Sequence, residues 1–287
     1  MNLIPLLIKY YILIFVIDYV LCQNEVKVSI ILPTYNGASY LDRSIQCILN
    51  QTLKEIELII VNDCSTDNTT DIISSYERKD NRIKIINLNI NKGLGYSRNE
   101  GMKIARGEFI GFMDDDDYVD EDFHERLYHY SKNKDVIIGT FLDCINDFPY
   151  CSYNNEQNHY DKTILDKDNN KKKRVYGFVV NSLWRKTFLK ENNIWFPIER
   201  GILEDREFRI KCYKCDPRLI KVPDEGSYYY YERRKHSLRN INRKFLNSLY
   251  KKAKKDLLIN KAFKKKSLIN KRFKKKLRKK RKTKIDL

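Results

Sequence analysis

Asp114-Asp115-Asp116-Asp117 is the stretch of this 287-residue chain best equipped for chemistry. Four consecutive carboxylates repel one another, and like charges sharing a site are costly to ionise together. A hard divalent cation such as Mn²⁺ or Mg²⁺ removes that cost. Such cations take oxygen ligands and are often held by one or two carboxylates plus substrate phosphates. The bland alternative is a solvated acidic turn ahead of a helix starting near Asp120. Two other polar clusters, Pro33-Thr34-Tyr35-Asn36-Gly37 and Asn62-Asp63-Cys64-Ser65-Thr66-Asp67, also follow apolar runs, and their company favours the cation site. Farther along stands Glu204-Asp205. Taken alone, it reads as a pair of acids at a helix N-terminus, favoured by the helix dipole.

These clusters need elements to carry them. Apolar, β-branched runs begin at Lys27, Ile56, Arg82, Phe109 and Asp135, spaced 29, 26, 27 and 26 residues apart. The gaps hold helical stripes: Leu41, Ile45, Ile48 and Leu49; then Ile72, Ile73 and Tyr76; then Phe123, Leu127 and Tyr130. Strand–helix alternation at this spacing predicts βαβ units and a mostly parallel sheet. Ligands of such sheets bind beyond the carboxyl ends of the strands, where the three polar clusters fall. Gly93-Leu94-Gly95-Tyr96-Ser97-Arg98 begins like a dinucleotide fingerprint, but Arg98 replaces the third glycine and the motif follows the third strand. A dinucleotide-dependent dehydrogenase is rejected on that ground.

The strings VSIILPTYNGASYLDRSIQCILNQT, IELIIVNDCSTDNT and NKGLGYSRNEGMKIARGEFIGFMDDDD, followed by NSLWRKTFLKENNIWFP, EDREF and YYYYERRKHS, fall in order within roughly Val26 to Leu238. In these blocks the chain resembles the inverting family 2 glycosyltransferases, of the α/β GT-A fold, and among them bacterial surface-polysaccharide enzymes. The resemblance implies a Rossmann-like, mostly parallel sheet over 26–240, with a donor half (26–117) and an acceptor half (118–240). It implies transfer of a sugar from a nucleotide-diphospho-sugar, a UDP-sugar by preference, to a hydroxyl of a glycan, lipid or protein. Thr34, Tyr35 and Asp63 would hold the nucleotide base and ribose, and Arg98 would face the diphosphate. Asp114 and Asp116 would be the metal pair for Mn²⁺ or Mg²⁺, with Asp115 between them on the donor. Asp205, of the Glu204-Asp205 pair, would be the general base. Cys64, Asn62 and Ser182 depart from the residues common at their positions. An inactive glycosyltransferase-like binding module is the first alternative.

The ends have their own character. Leu3 to Leu21 is almost wholly apolar, with Val20 and Cys22 suitably placed before a cut at Gln23. This predicts a signal peptide over 1–22, or else an N-terminal anchor, and so a secretory-pathway protein. Net charge is +18, but from Arg233 to Leu287 the balance is +23, leaving a body of −5. The Lys/Arg-rich tail, 241–287, reads as helical or disordered. It is either a solvated extension or a contact for an anionic membrane surface. Nucleic acid as its partner is the less favoured reading, since the body carries no recognition motif. Six cysteines remain after Cys22, and their connectivity cannot be read from sequence. Cys212-x-x-Cys215 lacks further zinc ligands. Trp184, Phe188, Trp195 and Phe196 read as core of the acceptor half, and Asn50-Gln51-Thr52 and Asn68-Thr69-Thr70 are N-glycosylation sequons.

Overall fold

The structure is a computed structural model that describes residues 25–145, 151–152, 163–165, 172–174, 178–199, 204–223 and 226–233. The expected leader (1–22) and the tail (241–287) lie outside the described residues. No helix among the described residues is long and apolar enough to cross a membrane.

The strands begin within one residue of the starts read from hydropathy. β1 (Val28–Thr34), β2 (Ile56–Asn62), β3 (Ile83–Asn87) and β4 (Phe109–Phe112) form parallel ladders in the order β4-β1-β2-β3. Every residue of β1, β2 and β4 is buried. This is the signature of parallel strands covered on both faces, and it explains their unbroken apolar runs. The helical stripes become α1 (Leu41–Leu49), α2 (Thr69–Glu77) and, later, α4 (Phe123–His129). Between β3 and β4 lies α3 (Leu94–Ile104).

The fifth apolar run becomes β6 (Val136–Ile138), which does not lie beside β4. β11 (Ser182–Arg185) is inserted antiparallel between them, pairing Leu183 with Gly111 on one side and with Ile137 on the other. Its Trp184 and Leu183 are completely buried, so burial of this short apolar strand favours the middle of the sheet. β12 (Leu219–Lys221) closes the far edge, parallel to β6. The full order is β12-β6-β11-β4-β1-β2-β3, mostly parallel as expected. A second sheet, β5-β13-β7-β8, is built from β5 (Tyr118–Val119), β13 (Tyr228–Arg233), β7 (Thr140–Ile145) and β8 (Cys151–Ser152). It brings the tyrosine strand up against the acidic run. β9 (Thr163–Leu165) and β10 (Lys172–Arg174) pair with each other. α5 (Lys186–Glu191) and α6 (Glu204–Lys214) complete the described body.

Candidate active site

The acidic run leaves β4 and turns at once. Met113 N still donates to Ile31 O at 3.1 Å, and Asp117 N then donates to Asp114 O at 3.2 Å. α1 grips the backbone of this turn. Arg43 Nη2 donates to the Asp116 carbonyl at 2.7 Å, and Ser44 Oγ lies 2.8 Å from the carbonyls of both Asp115 and Asp117. With the backbone held, three of the four side chains take separate partners. Asp115 accepts from Thr34 Oγ1 at 2.7 Å. Asp117 is completely buried and accepts from Tyr229 Oη at 2.5 Å. Asp114 receives Arg98 Nη2 at 2.8 Å.

Asp114, Asp116 and Asp117 each present a carboxylate oxygen, and these oxygens lie within 4.8 Å of one another. The donor set is anionic and all oxygen, which fits a hard divalent cation and would suit a soft one poorly. Desolvation pushes the Asp114 carboxyl above its ordinary value; Arg98 opposes that, while Asp205 and Asp115 add to it. Sequence pointed to Asp114 and Asp116, and the structure adds Asp117.

Asp63 is buried at the end of β2, and its two carboxylate oxygens accept from the backbone N–H groups of Lys92 (2.7 Å) and Gly93 (2.8 Å). Its own N–H donates to Thr34 O at 2.9 Å. Asp63 therefore ties together the loops that follow three adjacent strands. Tyr35 stands 51% exposed at the rim. Cys64 has φ 64, the left-handed region that glycine enters without penalty. The resemblance implies a glycine at this position, and a glycine would take this conformation without strain.

Arg98 has no exposed surface. Its guanidinium spans two carboxylates: Nη2 on Asp114, and Nη1 on Asp205, 107 residues away in sequence. The rings of Phe196 and Phe112 lie 5.1 and 5.9 Å from it. The resemblance places Arg98 at the diphosphate; in the structure its side chain is enclosed by these neighbours and reaches no solvent.

Asp205 lies in the first turn of α6, its side chain 39% exposed. Glu204 precedes it, also partly exposed. α3 steers the chain towards them. Asn99 holds the Phe196 backbone from both sides, donating to its carbonyl at 3.0 Å and accepting from its N–H at 2.9 Å. Gly95 lets the Pro197 carbonyl approach so closely that a Cβ there would collide with it. The Gly-x-Gly motif thus serves helix packing.

Sequence reasoning missed Asp117, Tyr229, Arg43 and Ser44. Ser44 left one usable trace, a polar residue on the buried face of α1 between Leu41 and Ile45. Nothing local marked Tyr229. Other buried or paired groups are structural. His124 Nδ1 lies 2.8 Å from Gln51 Oε1, and burial pushes the imidazole down to about 3. Cys212 and Cys215 are both free thiols, the first buried in α6 and raised by desolvation, the second exposed beyond it. Cys144 is disulfide-bonded and lies opposite Cys151 in the β7–β8 ladder. Trp184, Phe188 and Phe196 are buried, and Trp195 packs partly against the core.

A family model described as Glycosyl transferase family 2 matches residues 29–192. A poly(ribitol-phosphate) beta-glucosyltransferase of Bacillus spizizenii is 32% identical over 213 residues, covering 72% of this chain and 32% of the relative. The poly(ribitol-phosphate) beta-N-acetylglucosaminyltransferase TarP of Staphylococcus aureus is 31% identical over 216 residues, covering 71% and 62%. Among solved structures, S. aureus TarS 1–349 in complex with UDP-GlcNAc superposes with a TM-score of 0.62 at 27% identity, covering 75% of this chain and 61% of that one. The chain spans under two thirds of the length of these relatives.

Proposed function

The chain belongs to glycosyl transferase family 2, and on that premise we propose that it moves a sugar from a UDP-sugar to an acceptor hydroxyl with inversion at the anomeric carbon. One observation carries this reading. A partly exposed carboxylate, Asp205, is joined through Arg98 to the carboxylate cluster at the end of β4. A base and a donor cradle thereby share one site although distant in sequence. The UDP-GlcNAc complex of TarS supports a uridine diphosphate sugar as donor, and the poly(ribitol-phosphate) relatives support a hydroxyl-rich glycan or polyol as acceptor in preference to lipid or protein.

In this reading Thr34, Tyr35 and Asp63 line the nucleoside. Asp114, Asp116 and Asp117 hold Mn²⁺ or Mg²⁺, with Asp115 braced by Thr34 beside them. The cation would supply Lewis-acid stabilisation of the charge that develops on the departing diphosphate. Asp205 takes the proton of the attacking hydroxyl. The acceptor oxygen forms a bond to the anomeric carbon on the face opposite the diphosphate. The anomeric C–O bond breaks, and its electron pair leaves on the diphosphate oxygen. A carboxylate acting in this way must come within about 2.6–3.2 Å of the hydroxyl, and its partial exposure leaves room for that approach. The test is UDP release across a panel of UDP-sugars with Mn²⁺. Metal-dependent release that Asp205→Asn abolishes supports the reading, and its absence with every sugar nucleotide refutes it.

We also propose a secretory-pathway location. The disulfide at Cys144 supports it, because such bonds persist in oxidising compartments. Asn50 and Asn68 are exposed at helix ends, where a glycan could be accommodated. A glycosidase-sensitive gel shift on the protein from its native host checks this, and an unglycosylated chain with a reduced Cys144 overturns it.

A further inference from the structure

We propose that Arg98 is a positioning residue that sets Asp205 against the donor carboxylates, and that it is not a ligand of the diphosphate. The inference rests on the base assignment made above. Its first ground is access. Arg98 is completely buried, and both terminal nitrogens are engaged by carboxylates. With no exposed surface, the guanidinium could meet a phosphate oxygen only if the packing around it opened. Its second ground is the support around it. Phe112 from β4, Phe196 from the segment gripped by Asn99, and Phe208 from α6 form an aromatic box. Phe196 stacks on Phe208 at 4.1 Å, and Phe112 meets both rings edge-on. The guanidinium lies against Phe112 and Phe196. α6, which carries Asp205, is therefore located by the same residues that locate Arg98.

The third ground is shape. Two carboxylates converge on this point, and without a cation between them they would repel. A guanidinium offers several donors in a rigid plane and can serve both at once, whereas an ammonium is a compact point charge. Holding a base within a fraction of an ångström of its productive place is worth large factors in rate, and a 1 Å error can cost about 10²-fold.

The experiment separates the two roles of the arginine. Arg98→Lys keeps the charge and loses the fork. UDP affinity with Mn²⁺ is read by calorimetry, and kcat and KM are read on UDP-GlcNAc by UDP release. We expect UDP affinity and donor KM to stay within about threefold, while kcat falls roughly 10²-fold. Loss of UDP affinity by about tenfold or more with kcat retained at saturation would make Arg98 a diphosphate ligand and overturn the proposal. Unchanged kinetics would overturn it too. A second reading uses the Asp205→Asn background. If Arg98 acts through Asp205, the double variant is no slower than Asp205→Asn alone, since groups that act as a unit are not additive. Additive losses refute the link. Should the lysine variant not fold, Arg98→Gln keeps an amide donor and is read by the same split between kcat and KM. Failure of the base assignment itself is distinguishable, because Asp205→Asn would then turn over at the normal rate whatever Arg98 does.

Discussion

Asp205→Asn is the sharpest single test of the site. The amide is isosteric, and its oxygen can still accept from Arg98 Nη1, so the side chain keeps its place. What it loses is the basic oxygen. A general base contributes about 10²–10⁴ in rate, or about 2.7–5.5 kcal/mol at 1.36 kcal/mol per decade. The structural cost is far smaller. Asp205 is 39% exposed, which screens its attraction to Arg98, and the amide oxygen keeps a hydrogen bond to the buried guanidinium. Arg98 also retains Asp114 as a counter-ion. The expected pattern is UDP affinity unchanged by calorimetry, a thermal midpoint within a few degrees, and UDP release slowed by two to four orders of magnitude. Normal turnover in Asp205→Asn refutes the assignment. If Glu204→Gln is then the inactive variant, the base is its neighbour in the first turn of α6.

Other perturbations read other parts of the molecule. Asp116→Asn removes one anionic oxygen from the carboxylate cluster; metal-dependent UDP binding should be lost with the fold intact, and wild-type affinity with Mn²⁺ would refute its role. His124 is buried and neutral, its pKa near 3 against about 6.5 when unfolded. The unfolded chain therefore binds the extra proton first. His124's contribution is complete above pH 6.5 and is lost as pH falls below it, amounting to about 2 kcal/mol at pH 5. Denaturant unfolding at pH 7 and pH 5 should show a smaller acid loss in His124→Gln than in the wild type, and equal losses would refute the account. Cys64→Gly relieves a left-handed residue at φ 64. The relief is about 1–2 kcal/mol against about 0.5–1 kcal/mol of added chain entropy, so the denaturation midpoint should rise, and a clear fall would show that the thiol contact with the Asn89 carbonyl matters more.

What was legible in the sequence followed from local periodicity. β1, β2 and β4 are buried on both faces, so their apolar runs are unbroken and their starts could be read to within a residue. Because parallel strands all point the same way, the polar residues after them had to gather at one end of the sheet. That is why Thr34, Asp63 and Asp114 could be grouped before any coordinates were known. β11 obeyed no such rule. Four residues ending in Trp184-Arg185 look the same whether they join the central sheet or a separate layer. Only the three-dimensional need to bury them between β4 and β6 decides the matter.

The site divides along the same line. A run of aspartates marks a candidate cation site, but which members point inward depends on contacts that no spacing encodes. The backbone of the turn is gripped by Arg43 and Ser44 from a helix about seventy residues earlier, and Asp117 is drawn inward by Tyr229, 112 residues later. With the carbonyls of the turn pinned, the side chains reach for different partners. Asp115 then goes to Thr34, Asp117 to Tyr229 and Asp114 to Arg98. Those partners offset part of the repulsion among four consecutive like charges at the end of a buried strand. Asp114, Asp115 and Asp117 each have a separate partner, and the oxygens of Asp114, Asp116 and Asp117 stay close enough together for one cation to serve all three.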